Sequence, residues 1–153
     1  WLHGVRLLKR AIEERLTFAF ETTLGGYTIT DMIDRAATQG VEVYLWYVGL
    51  SSPELHLERV RARVRRGGHD IPERDIRRRY EHSRLNLIAL LPQLTALRVY
   101  DNSREADPAA GEVPMPAFVL QMERGRIVGP PDLSHTPDWA KPIVAAALKL
   151  GRT

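Results

Sequence analysis

The chain has 153 residues, 44% of them hydrophobic, which is enough to bury one core and too few for two independent ones. It contains no cysteine, so disulfide frameworks and thiolate metal sites are excluded and a reducing cytoplasm is the natural setting. The formal charge is +3 and arginine supplies nearly all of the positive side, with only Lys9, Lys141 and Lys149 as lysines, a bias that suits bidentate contact with phosphate or carboxylate as well as an ordinary basic surface.

Residues 5–16 read as an amphipathic helix, with Val5, Leu8, Ile12 and Leu16 at helical spacing. The stretch Trp1-Leu2-His3-Gly4 before it has neither cap nor leader, so the sequence is expected to start inside a longer natural chain. Residues 17–20, Thr-Phe-Ala-Phe, are β-prone and run into the polar group Glu21-Thr22-Thr23 and the turn signal Gly25-Gly26, which predicts strand, then loop. Thr30 is placed to cap a helix to about Gln39, with Met32, Ile33 and Ala36 inward and Gly40 as its stop.

Residues 41–48 mix β-branched and aromatic side chains without alternation, as in a strand covered on both faces of a parallel sheet. The apolar run to Leu50 is about half of what a membrane helix needs, and the chain is expected to be soluble. Ser52-Pro53-Glu54 has the form of an N-cap with proline at the first helical position, so a helix is predicted from Pro53 to about Arg66, ended by Gly67-Gly68. A further helix is predicted from Pro72 to about Leu91, and residues 96–101 form another strand ending in Asp101-Asn102-Ser103.

Three strands separated by helices, each with polar residues past its C-terminal end, describe an open α/β sheet with its site along that edge. Residues 1–105 would be its core and 106–116, rich in proline, glycine and acid, a linker. Residues 117–153 would add a hairpin turning at Glu123-Arg124-Gly125 and a helix opened by Thr136-Pro137-Asp138, with Trp139, Ile143, Ala147 and Leu150 on one side and a possible kink at Pro142.

The segment 65–80, R-R-G-G-H-D-I-P-E-R-D-I-R-R-R-Y, joins two arginine-bearing helix ends through a glycine hinge. Such arginines can close over one anion from both sides and stabilise a moving phosphoryl group, and the hinge suits a lid. A solvated basic helix pair is the plainer alternative. An RNA patch lacks the aromatic interleaving that single strands need, with only Tyr80 nearby.

Glu21 follows an apolar run to the site edge, where it could orient magnesium-bound water or accept a substrate hydroxyl, with Thr22 and Thr23 adding hydroxyls; an ordinary polar strand end reads equally well. Asp101 and Asn102 could line a nucleobase pocket, although Asp101 alone is better read as an Asx turn. Asp70 is expected to cap the helix near Pro72, with His69 as a hinge residue. The five histidines lack metal-ligand spacing, so the residues of any metal site stay unassigned.

Four strings together resemble the zeta-toxin-like family of P-loop kinases: F-E-T-T-L at 20–24, V-G-L-S-S-P-E-L at 48–55, R-V-R-R-G-G-H-D-I-P-E at 63–73 and V-Y-D-N-S at 99–103. The closing stretch from Gly125, G-R-I-V-G-P-P-D-L-S-H-T-P-D-W-A-K-P-I-V, is similar to the C-terminal end of bacterial members. The resemblance implies a P-loop kinase-like sheet and an ATP- or GTP-dependent kinase using Mg2+. Its acceptor would be a nucleotide sugar such as UDP-N-acetylglucosamine, with an antitoxin protein as a partner. It makes Glu21 the acidic residue beside the phosphate loop and Arg66 with Arg79 the lid pair, Arg78 being a substitute. Arg63, Asp101 and Asn102 become nucleotide contacts.

No G-x-x-x-x-G-K-[ST] loop occurs in these residues, so the phosphate loop, its strand and the strand with a catalytic aspartate are expected ahead of Trp1. The alternative is a non-catalytic fragment or binding module for RNA or an antitoxin.

Overall fold

A computed structural model describes residues 2–105, 110–113 and 115–151. The chain is α/β. Helices α1 (Leu2–Glu13) and α2 (Tyr27–Thr38) precede strand β1 (Tyr44–Gly49), helices α3 (Pro53–Arg65) and α4 (Glu73–Leu90) lead to β2 (Ala96–Asp101), and β3 (Ala117–Glu123) and β4 (Arg126–Gly129) lead to α5 (Lys141–Leu150). The four strands form one sheet in the order β1-β2-β3-β4.

The sheet is mixed: the expected parallel pairing holds for β1 and β2, while the hairpin expected as a separate extension joins the same sheet. β1 and β2 are parallel, from Tyr44 opposite Ala96 to Gly49 opposite Asp101, because the α3–α4 crossover returns the chain to the same end. β3 runs antiparallel to β2 and β4 to β3. Arg124 and Gly125 both have positive φ (46° and 76°), the backbone of a two-residue hairpin turn that follows the strand twist. The hairpin extends the sheet directly. Of the expected linker, residues 106–109 and 114 lie outside the described residues.

One sheet face carries Leu97, Val99, Leu120 and Met122, which pack with Leu87 and Leu90 of α4, Ile143 and Ala147 of α5, and Trp139 into a single core. The stripe expected on the last helix is real, and Pro142 sits in the first turn of α5, where its missing N–H costs nothing, so no kink arises. The expectation of burial on both faces of β1 fails: Tyr44, Trp46 and Val48 are more than half exposed. Period-two alternation was hidden there because both faces carry apolar residues.

Ser52 caps α3 as its sequence signature demands, accepting from the Leu55 amide at 3.1 Å with Pro53 next. Two other caps are corrected. Thr30 lies inside α2, donating to the Gly26 carbonyl at 2.9 Å, and Asp70 accepts from Ile71 while Pro72 holds the N-cap position of α4. Residues 17–20 form no strand, since nothing among the described residues pairs with their backbone, and α1 ends at Glu13, leaving Leu16 outside it. No described helix is long and apolar enough to cross a membrane.

Candidate functional site at the sheet edge

The parallel strands β1 and β2 end side by side, and the loops that follow are laced together. The Asn102 amide donates to the Gly49 carbonyl at 2.9 Å and the Ser51 amide to Ser103 Oγ at 2.8 Å. Asp101 Oδ1 accepts from the Ser103 amide at 3.1 Å and from its hydroxyl, the Asx turn that its sequence suggested. From α4, the Tyr80 hydroxyl donates to the Ser51 carbonyl at 3.0 Å. Arg84 stacks over the Tyr80 ring, 4.3 Å from its centroid, and reaches the Trp139 carbonyl at 3.5 Å. This clamps both strand ends to α4 and to the turn before α5.

Beside this edge opens a cleft of about 480 Å³ lined by Arg59, Ala62, Arg63, Arg66, Gly67, Gly68 and Glu105. Residues 59, 62, 63 and 66 recur at helical spacing, so α3 and its C-cap Arg66 present three guanidinium-bearing side chains to one hollow. Arg59 also donates to the Ser103 carbonyl at 3.5 Å, which joins the cleft to the strand-end loops. Arg63 donates to the His69 carbonyl at 2.9 Å and lays its stem against Gly68, where a Cβ would collide with it. Gly67 takes φ +85°, a conformation in which a side chain is strained, and the helix can turn there only because the residue is glycine.

The expected site residues fall into two groups. Arg63 and Arg66 line the cleft. Asp101 and Asn102 stand at the adjoining strand end. Arg79 lies elsewhere: its stem packs on Gly25, and Asn86 Nδ2 donates to the Leu24 carbonyl at 2.7 Å, so α4 holds the loop that carries Glu21, Thr22 and Thr23. Within that loop Thr22 Oγ1 accepts from the Leu24 amide at 3.1 Å, while Glu21 and Thr23 are exposed. Arg78 is paired with Asp75 at 3.1 Å.

Arg66 and Arg79 are not brought together. Arg77 of α4 bonds Glu54 at 2.7 Å and Tyr80 bonds Ser51, both at the start of α3, whereas Arg66 follows its end. Thirteen helical residues span roughly 20 Å.

Sequence reading missed Arg59, Ser51, Ser103, Tyr80 and Glu105. Arg59 was findable, because it stands four and seven residues before Arg63 and Arg66 on one helical face. The other four depend on contacts across the fold. Burial raises the Tyr80 phenol pKa above its usual value against the opposing effect of Arg84, so Tyr80 stays a neutral donor. Burial also lowers the pKa of His56, which meets the Tyr80 ring edge-on at 5.6 Å, and the Arg59 cation adds to that.

The donor set fits an anion. Among the described residues no group of three or more histidine or acidic side chains could enclose a metal ion, and magnesium commonly needs only one or two carboxylates beside substrate phosphates.

No protein-family model and no solved structure matches the chain. A protein of Haemophilus influenzae, named only as uncharacterized, is 37% identical over 77 residues, which are 50% of this chain and 55% of that protein. The chain thus spans about half the length of the curated relative it matches.

Proposed function

We propose that the chain belongs to an ATP- or GTP-dependent small-molecule kinase of the zeta-toxin type, whose acceptor is a nucleotide sugar. The observation that supports this reading best is the arginine cleft opening beside the C-terminal ends of two parallel strands. That edge is where open α/β sheets bind ligands, and Arg59, Arg63 and Arg66 bring three guanidinium groups to the cleft there, beside the single carboxylate of Glu105.

Phosphoryl transfer needs little covalent help from the protein and much positioned positive charge. In this reading Arg66, exposed at the hinge, is the arginine that follows charge onto the moving phosphoryl group, and Arg59 and Arg63 hold the nucleotide's phosphates. The strand-end loops, clamped by Tyr80, form the floor. Glu21, Thr22 and Thr23 stand on the loop pinned by Arg79 and Asn86, away from Arg66, and take no part in this step. Magnesium, when bound, would neutralise the phosphates, and an upstream phosphate loop would cradle them.

The reading predicts that the natural full-length chain carries a G-x-x-x-x-G-K-[ST] loop ahead of Trp1. It also predicts that Arg66→Ala lowers nucleotide-dependent phosphorylation of nucleotide sugars by about 10³-fold or more. The thermal midpoint should be unchanged, because the side chain is exposed. An upstream reading frame without the loop would sink the proposal, and unchanged turnover would remove Arg66 from the mechanism.

A further inference from the structure

The stripe of α3 that supplies the cleft does not stop at Arg59. Residues 59, 62, 63 and 66 line the hollow, and His56 stands one turn earlier on the same side of the helix. Its imidazole is partly buried, edge-on to the Tyr80 ring at 5.6 Å, within the clamp that holds the strand-end loops. Arg59 therefore has the cleft on one side and a histidine on the other.

The charged and titratable groups around the His56–Tyr80 pair are Glu54 and Arg59 on α3, Arg77 and Arg84 on α4, and Asp101 at the end of β2. Glu54 is taken by Arg77 at 2.7 Å, Asp101 by the amide and hydroxyl of Ser103, and Arg84 lies over the Tyr80 ring. The charge that His56 feels is that of Arg59. Burial and this cation both disfavour a proton on the imidazole, so the free protein keeps it neutral. An anion beside Arg59 offsets the second of these effects, because it attracts the charge that Arg59 repels.

We infer that His56 is a fourth, proton-dependent cation of the cleft, taking a proton from solvent when a phosphate-type dianion binds beside Arg59 and returning it when the dianion leaves. By reciprocity the same coupling makes the anion bind more tightly as pH falls. Affinity rises as pH drops through the titration of His56 in the occupied protein and levels off below its titration in the free protein. The inference rests on the reading of the cleft as a phosphate site and is independent of the acceptor.

Sulfate is the probe: histidines change charge between about pH 5 and about pH 8, and sulfate stays a dianion throughout, so it adds no titration of its own. Nuclear magnetic resonance at constant ionic strength should show the guanidinium signals of Arg59, Arg63 and Arg66 moving with sulfate, at an affinity at least about fivefold tighter at the acid end of that range. The midpoint of the His56 titration should rise in saturating sulfate by the logarithm of the same factor, and His56→Gln should remove the pH dependence. A His56 midpoint that ignores sulfate while the arginine signals respond overturns the inference and leaves the cleft reading intact, and the unsubstituted protein decides this even if the variant is unstable. Arginine signals that stay still at every pH sink the cleft reading and the inference with it. His69 is the other histidine beside the cleft, on the hinge whose carbonyl Arg63 holds. A pH dependence that survives in His56→Gln and disappears in His69→Gln assigns the proton to the hinge and overturns the inference.

Discussion

At the scale of single residues, what a side chain does here is decided by what it leans on more than by its type. Arg63, Arg66, Arg78 and Arg79 come from one arginine-rich run, yet one staples the hinge, one is exposed at a cleft, one is paired with Asp75 and one supports Gly25. His56 shows the same dependence. Its imidazole is held below the ordinary pKa of about 6.5, chiefly by burial and further by Arg59, so the folded state disfavours its protonation. As pH falls through about 6.5 the unfolded chain binds the proton first and folding loses stability, whereas above that value the group contributes no pH dependence. His56→Gln should flatten the fall in thermal midpoint between about pH 7 and pH 5; an unaltered slope would show that other groups set it.

At the scale of elements, strand ends and helix starts were legible where the chemistry is local. Ser52-Pro53 marks α3 because the cap is made within three residues, and β2 and the β3–β4 hairpin stand where their β-branched runs and the Arg124-Gly125 turn place them. Residues 17–20 had the composition of a strand and are not one, because a strand needs a partner that composition cannot supply. Element packing also explains Gly49, which sits at the end of β1 directly under Trp139, so that a methyl there would overlap the indole's six-membered ring. Gly49→Ala should cost about 1–3 kcal/mol by overpacking. Its chemical-denaturation midpoint would report this, and an unshifted midpoint would mean that the turn before α5 yields freely.

At the scale of the whole molecule, the C-terminal hairpin and helix are part of the core. β3 pairs along β2 from Ala96 to Asp101, and Leu120, Met122, Trp139, Ile143 and Ala147 are buried with Leu87 and Val99. Ending the chain at residue 116 should therefore abolish cooperative unfolding and expose the remainder to protease; a truncated chain with a sharp thermal transition would refute this. By itself the sequence determined the α/β class, most helix and strand positions, the absence of cysteine chemistry and the arginine-rich hinge, since propensity, caps and turns act over a few residues. Only the tertiary structure decided that the sheet is mixed, that Arg59 rather than Arg79 joins Arg63 and Arg66, and that one face and edge of β1 are bare. Those outcomes depend on which distant segments meet, and apolar residues on both faces of a strand look alike in sequence whether they are covered or not.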